Sequence, residues 1–276
     1  MTWRDEQGRY FSCGTWWKRR DATLLLLDPI IGGYGLKRLS PDLPLLINSV
    51  NMASFHGVNV FTSYLPRTPR DGAKGYTKEE YRFLNEYTGR ITQVLRGARR
   101  EAGVGLYYPI AMLQADLLAS NQRWGAINRQ LSKWQNAWDQ AEKALLKGDV
   151  EYMIVHPEAV ATAKIEDGRM RIGHGSYHTL VLPPLDLIPL AVSERLQRFE
   201  QTGGKILWAE VVPRGAEHAK NDAPVKASLK HTAATPSGQL AQAIPPSFSS
   251  RFDLTFSPGT NQLLVGRFDR DGKPVY

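Results

Sequence analysis

The sequence has a single cysteine, Cys13, among its 276 residues. No intrachain disulfide can form, so cysteine usage does not indicate the compartment. Cys13 has no glycine-rich elbow or nearby histidine that would support a nucleophile, and a packing role is favoured. Long apolar runs are also missing, since Leu24–Leu27 is far too short to span a bilayer. The first residues, MTWRDEQGRYF, lack the regions of a signal peptide. We therefore expect no membrane partner and leave the compartment open.

Motifs for phosphate, metal or nucleophile chemistry are absent as well. The chain contains no P-loop, no G-x-G-x-x-G, no H-E-x-x-H and no G-x-S-x-G. Its six histidines lack metal-ligand spacing, and the loop after Val104–Pro109 lacks the Ser, Thr and Gly residues that cradle a phosphate. The sequence therefore predicts neither a metal site nor a flavin or other cofactor.

The net charge is +8, with basic clusters at residues 18–20, 96–100 and 220–230. Such clusters can bind phosphate backbones. No nucleic-acid motif accompanies them, so an ordinary solvated surface is the favoured interpretation and nucleic acid is not the expected partner.

Residues 24–99 predict a β-α-β-α unit. Leu24–Asp28 and Gly57–Pro66 are typical of buried strands. Ser40 followed by proline predicts the start of a helix that runs to about Phe55. Thr77 begins a capping box for a second helix that is expected to end near residue 99. This alternation is the repeating unit of a parallel barrel or sheet.

A second α/β module follows, in which four short apolar runs alternate with helical periodicity. The runs are Val104–Pro109, Val150–Val155, Thr179–Leu182 and Lys205–Trp208. One helix carries an apolar stripe in which an aromatic pair is expected to pack in the core rather than to bind sugar: Leu131, Trp134, Trp138, Ala141 and Leu145. The pattern predicts a flavodoxin-like, doubly wound parallel sheet.

Several local signals refine this module. Asp167-Gly168 predicts a hairpin turn. A helix is expected with Ile188, Val192, Leu196 and Phe199 facing inward, ended by Gly203-Gly204. Residues 213–246 are rich in Ala, Lys, Pro, Ser and Thr and predict a linker or long loop. The tail predicts an alternating strand and a turn at Asp271-Gly272, after which the next strand stops with the chain.

Glycoside hydrolysis needs two carboxyl groups that face each other across one sugar linkage. In a βα barrel they lie at the carboxyl ends of strands, and Asp28 is the best-placed carboxylate. A structural role for Asp28, at the strand end or in the glycine-rich loop, is the favoured alternative. No second carboxylate ends the next strand. There, Asn59 and Tyr64 could contact a sugar, and Trp16 or Trp17 could stack on one.

Taken in order, these segments resemble a group of large bacterial glycoside hydrolases. The resemblance is carried by ASFHGVNVFTSYLP (Ala53–Pro66), EYTGRITQVLRGAR (Glu86–Arg99), VGLYYPIAMLQAD (Val104–Asp116), AKIEDGRMRIGHGSYHTLVLPP (Ala163–Pro184), RLQRFEQTGGKILW (Arg195–Trp208) and the closing LLVGRFDRDGKPVY. In that group a TIM barrel is followed by a glutamine-amidotransferase-like domain of flavodoxin fold and then by β-sandwiches. The β-galactosidase (family 42) and α-L-rhamnosidase (family 106) types share this layout.

The resemblance implies an α/β fold built from part of a βα barrel, a flavodoxin-like parallel sheet domain and a short β tail. The corresponding segments are residues 1–100, 101–213, a linker or long loop at 214–246, and the start of a β-sandwich at 247–276. Most of the barrel and at least one catalytic carboxylate would lie outside this chain. Asp28 stands where the β-galactosidase type has its nucleophilic Glu, a departure from the family pattern.

Two functions follow from these expectations. The first is part of a glycoside hydrolase that acts on β-galactoside or α-L-rhamnoside linkages of a polysaccharide, inactive by itself, with homo-oligomer contacts through the flavodoxin-like domain. The alternative is a non-catalytic basic module that binds an acidic glycan or a nucleic acid.

Overall fold

A computed structural model describes residues 2–4, 10–12, 24–27, 43–55, 57–58, 60–63, 76–100, 102–110, 112, 129–148, 150–217, 221–229, 233–244 and 265–276. These residues fall into two compact units. The first unit contains those of residues 1–100 and 268–276, and the second contains those of residues 101–121 and 127–267. Each unit is described by itself below.

Seventeen strands and seven α-helices lie in the described part of the chain. The strands are β1 (Thr2–Arg4), β2 (Tyr10–Ser12), β3 (Leu24–Leu27), β4 (Val60–Ser63), β5 (Arg99–Arg100), β6 (Val104–Tyr107), β7 (Tyr152–Val155), β8 (Lys164–Glu166), β9 (Arg169–Ile172), β10 (Gly175–Tyr177), β11 (Thr179–Leu182), β12 (Leu187–Pro189), β13 (Lys205–Ala209), β14 (Gly215–Glu217), β15 (Ala234–Thr235), β16 (Phe268–Arg270) and β17 (Lys273–Val275). The helices are α1 (Leu43–Phe55), α2 (Lys78–Leu95), α3 (Arg129–Lys147), α4 (Pro157–Ala161), α5 (Leu190–Gln201), α6 (Ala223–Ser228) and α7 (Leu240–Ala243).

In the first unit, the β-α-β-α order predicted from the sequence is present. β3 and β4 pair in parallel, and α1 and α2 follow them in the expected places. The capping box of α2 is confirmed, because the Thr77 N–H donates to Glu80 Oε2 at 2.8 Å and the Glu80 N–H donates to Thr77 Oγ1 at 3.1 Å. The core of this unit, among its described residues, contains Leu46, Val50, Ala53, Val58, Tyr76 and Leu84.

Helix α2 ends at Leu95, four residues before the expected end. Gly97 adopts a φ of +74°, a left-handed conformation that glycine tolerates, and it turns the chain out of the helix. The next residues form β5, which pairs antiparallel with β16, and β16 and β17 form the hairpin expected at Asp271-Gly272. The helix thus ends at a local glycine turn, and the residues after it pair with a strand about 170 residues away.

The second unit is built on a five-stranded sheet in the order β15-β13-β11-β6-β7. Every pairing in it is parallel. Numbered along the chain, this order is 2-1-3-4-5, a doubly wound arrangement in which the direction of winding reverses between β6 and β11. Both of these central strands are buried along their whole length. The expected α/β class with a parallel central sheet is confirmed.

Helices pack against this sheet with the faces that their periodicity predicts. Trp134, Trp138, Ala141 and Leu145 of α3 are all buried, so the aromatic pair is core packing as expected. Helix α5 ends in the predicted glycine pair. The Gly203 N–H donates to Glu200 O at 3.0 Å and the Gly204 N–H donates to Phe199 O at 2.9 Å, a Schellman motif.

Two expectations for this unit need correction. Ile188 does not begin the helix but lies in β12, which pairs in parallel with β14, because Pro189 follows it and disfavours helical backbone at the preceding residue. The stretch 213–246 is also more than a linker or long loop. Its described residues contain β14, α6, β15, a short 3₁₀ helix at Ser237–Gln239 and α7, and β15 is the last strand of the central sheet.

A small antiparallel sheet lies between β7 and β11 along the chain, in the order β10-β9-β8. Its first turn is the one predicted at Asp167-Gly168, where both residues have a positive φ of 49° and 68°. This conformation matches the two-residue hairpin turns that favour Asp-Gly. One face of the sheet is buried through Met170, Ile172 and Tyr177.

Candidate functional site

The predicted sugar site belongs to the carboxyl ends of β3 and β4. These strands pair in parallel with Leu27 opposite Ser63, so both end at the same edge. Asp28 and Tyr64 are the next residues in the sequence. The register concerns β3 and β4 alone, and the positions of these two residues are known only from the sequence.

The predicted site residues themselves lie outside the described residues. They are the catalytic candidate Asp28 and the sugar-contact candidates Trp16, Trp17, Asn59 and Tyr64. Their roles therefore stay predictions.

The second edge to consider is the carboxyl edge of the central sheet, where β6 and β11 meet and doubly wound folds bind ligands. Tyr107, the last residue of β6, is 2% exposed. Burial raises the pKa of the Tyr107 phenol far above its ordinary value, and the negative charge of Glu217 raises it further. The phenol therefore stays protonated. Trp138 Nε1 donates to Tyr107 O at 3.2 Å, and the Tyr108 ring stands edge-on to Trp138 at 5.7 Å. Aromatic packing therefore fills the described part of this edge.

His156 and Glu210 follow two other strands of the sheet, and both fix backbone. His156 caps α4 by accepting the Glu158 N–H on Nδ1 at 3.3 Å, and its pKa is lowered by burial against the opposing effect of Glu158. Glu210 has a φ of +58°, and its Oε1 accepts the Ser237 N–H at 2.6 Å while its own N–H donates to Thr235 O at 2.9 Å. These bonds hold a strained residue in place and give it a structural role.

Two buried carboxylates also serve structure. The Tyr152 hydroxyl donates to Glu142 Oε1 at 2.5 Å, and both residues are at most 1% exposed. Glu151, 2% exposed, accepts the Arg267 N–H on Oε1 at 2.8 Å. Each buried carboxylate thus accepts a hydrogen bond from another segment of the chain.

The described residues contain no group of three or more His, Cys, Asp or Glu side chains that could hold a metal ion. Among the same residues, no helix is both long and apolar enough to cross a bilayer.

The structure brings together one cluster that the sequence analysis missed, on the exposed face of the β8–β10 sheet. Lys164 stands opposite Arg171, and Glu166 stands opposite Arg169. All four side chains are exposed, and we call this surface the basic face. Burial lowers the pKa of His178, and the positive charge of Arg169 lowers it further. The alternation in RMRI was a signal for two of these cations, but their apposition with Lys164 depends on the hairpin register.

Comparison with known proteins gives a clear result for the fold alone. No family model matches the chain, and no curated protein sequence matches it significantly. Among solved structures, a catalytic mutant of a GH42 β-galactosidase from G. stearothermophilus is similar with a TM-score of 0.50 and 16% identity, over 72% of this chain and 29% of that chain. The β-galactosidase from Rahnella sp. R3 is similar with a TM-score of 0.49 and 16% identity, over 75% of this chain and 31% of that chain. The β-galactosidase from Marinomonas ef1 has a TM-score of 0.49 and 14% identity, over 74% of this chain and 31% of that chain.

The chain thus has an α/β fold similar to part of a GH42 β-galactosidase. It spans less than a third of the length of these neighbours.

Proposed function

We propose that this chain is the part of a β-galactosidase-type glycoside hydrolase in which the end of a βα barrel is followed by an amidotransferase-like domain of flavodoxin fold. The observation that carries the proposal is the likeness in fold to the G. stearothermophilus enzyme over 72% of the chain. The parallel strand order 2-1-3-4-5 supports the flavodoxin-like assignment of residues 101–213. The pairing of β3 with β4 supports the barrel assignment of residues 1–100.

The proposed chemistry is hydrolysis of a glycosidic bond, with Asp28 as one of the two carboxyl groups that the reaction requires. Its position directly after β3 supports this role, because barrel enzymes carry their catalytic groups at the carboxyl ends of strands. Trp16, Trp17, Asn59 and Tyr64 would contact the sugar. Since we assign one carboxyl group of the pair, we expect the isolated chain to be inactive.

The proposed substrate is a β-galactoside within a polysaccharide. The names of the neighbours favour it over an α-L-rhamnoside, since those compared above are β-galactosidases. The second unit would contribute homo-oligomer contacts.

The test uses the native protein. An antibody raised against the 276-residue chain isolates it from the source cells, and nitrophenyl β-galactoside and nitrophenyl α-L-rhamnoside are the two substrates. We expect a species larger than 31.0 kDa that hydrolyses the galactoside alone. Hydrolysis of the rhamnoside alone would refute the substrate, and a native protein active on neither would refute the function.

The role of Asp28 is tested in the same native protein with Asp28→Asn. Removal of a catalytic carboxylate lowers kcat by several orders of magnitude without unfolding the protein. Asp167→Asn is the matched control, because Asp167 sits in a tight turn that asparagine also accepts. If Asp28→Asn lowers stability and leaves kcat unchanged, the structural alternative for Asp28 is correct.

A further inference from the structure

The basic face presents three cations and one carboxylate on adjacent strands. In the β8–β9 register, Lys164 opposes Arg171 and Arg169 opposes Glu166. Side chains alternate along a strand, so Arg169 and Arg171 of β9 project on the same side, away from buried Met170. The three cations therefore share one solvent-facing surface with Glu166.

Glu166, the one carboxylate on these strands, does not neutralise this surface. Glu166 Oε2 lies 3.1 Å from Arg171 Nε, and both side chains are more than half exposed. Within the described part of the chain, no carboxylate forms an ion pair with Lys164 or Arg169. Two of the three cations are thus available to an anion, and the third shares an exposed and therefore weak ion pair.

Folding alone does not account for this arrangement. Like charges directly opposite each other on neighbouring strands are destabilising, and Lys164 opposite Arg171 is such a pair. Lysine on an edge strand can prevent aggregation, which would explain Lys164 on β8. It does not explain Arg169 and Arg171, because β9 is the central strand of this sheet.

The side chains of the basic face favour a carboxylate as the ligand. Arginine guanidinium groups bind carboxylates through two parallel hydrogen bonds, and two such groups stand two residues apart on β9. With strands about 4.8 Å apart and about 6.8 Å between alternate residues, the backbone positions of the charged side chains span roughly 5 Å by 7 Å on two strands. That footprint fits one or two carboxylate-bearing sugars better than a nucleic-acid duplex, which needs a longer track of cations.

Aromatic side chains are missing from the described part of this face, since Tyr177 belongs to the buried side. Single-stranded nucleic acids are held mainly by aromatic stacking together with charge. The face offers charge alone, which suits a saccharide carboxylate.

We propose that the basic face, Lys164, Arg169 and Arg171, binds the carboxylates of an acidic polysaccharide segment. It would act as an anchoring surface that shares no residue with the proposed hydrolytic site. That the ligand is an anion is inferred from the three exposed cations. That this anion is a glycan rests on the proposed function.

The test measures binding of fluorescently labelled tetragalacturonate to the full 276-residue chain by anisotropy at low salt. Arg169→Gln/Arg171→Gln should weaken binding by about tenfold. The matched control Lys143→Gln/Lys147→Gln removes the same charge from exposed positions of α3 and should change binding by less than about twofold. Glu166→Gln removes the competing carboxylate and should tighten binding by about twofold. All of these positions are exposed, and circular dichroism verifies that each variant folds.

Three results would overturn the proposal. They are no binding at low salt, equal weakening by both double variants, or equal binding of an uncharged galacto-oligosaccharide of the same length. Tighter binding of a single-stranded oligonucleotide, lost in Arg169→Gln/Arg171→Gln, would assign the face to nucleic acid instead. Because the assay measures no hydrolysis, its failure leaves the hydrolase proposal standing. Inactivity of the native protein would likewise leave a binding result intact.

Discussion

Gly105, in the middle of β6, has no room for a side chain. A Cβ added there would lie 2.6 Å from Leu180 Cδ2 and 3.2 Å from Val155 Cγ1, and both neighbours are fully buried. Overpacking of this kind lowers the free energy of unfolding by about 1–3 kcal/mol. Alanine also restricts the unfolded chain more than glycine does, which raises the free energy of unfolding by about 0.4–1 kcal/mol. We therefore expect Gly105→Ala to lower the free energy of unfolding by roughly 1–2 kcal/mol.

Gly89 provides the matched control for this substitution. It lies in the interior of α2, is exposed, and has nothing within 4 Å of an added Cβ. Gly89→Ala should raise the free energy of unfolding by about 0.5–1 kcal/mol, because alanine is the better helix former. The same chemical change is thus expected to have opposite signs at the two sites.

Urea denaturation followed by far-ultraviolet circular dichroism measures both effects. A third variant isolates the closest contact, since Leu180→Val removes the Cδ2 atom that an alanine at 105 would meet at 2.6 Å. In Gly105→Ala/Leu180→Val the loss should be smaller than the sum of the single losses by about 1 kcal/mol. Strict additivity, or a loss at Gly89 equal to that at Gly105, would refute the packing argument.

Three further predictions concern polar groups. Tyr152→Phe should lower the free energy of unfolding by about 1.5–3 kcal/mol because buried Glu142 loses a hydroxyl donor, and a denaturation midpoint equal to wild type would contradict this. Thr77→Ala should cost about 0.5–2 kcal/mol by removing the cap shared with Glu80, whereas Thr77→Ser should retain most of it in thermal unfolding. The third concerns pH, since burial lowers the pKa of His156 in the folded state. The unfolded chain then takes up the proton first, so this contribution to stability is present above about pH 6.5 and is lost as the pH falls. His156→Gln should show a shallower fall in melting temperature between about pH 7.5 and 5 than the wild type, and an unchanged slope would show that this histidine does not contribute.

Strong local signals allowed parts of the fold to be predicted. Strand β11 has the predicted bounds, Thr179–Leu182, because a continuous apolar run is typical of a strand buried on both sides. The Thr77 cap and the glycine pair after α5 specify helix ends through hydrogen bonds within a few residues. Such signals need no information about distant parts of the chain.

Short strands without a pattern could not be predicted in this way. β15 has only two residues and β14 only three, yet they pair with β13 and β12. Their backbone groups find partners only after the larger strands have been placed. The sequence therefore predicted a linker in a region where pairing produces strands.

One of the two candidate sites could be proposed from the sequence, and the other could not. Asp28 and Tyr64 follow strands that their own residues specify, so both could be proposed from the sequence. The basic face could not, since Lys164 meets Arg171 only through the register of the hairpin. The sequence by itself determined the helices before residue 213, the long strands and the α/β class, because hydrophobic periodicity and capping act over a few residues. Only the tertiary structure decided the strand order, the pairing of β5 with β16 and the apposition of the three cations, because these depend on pairing between segments that the sequence keeps apart.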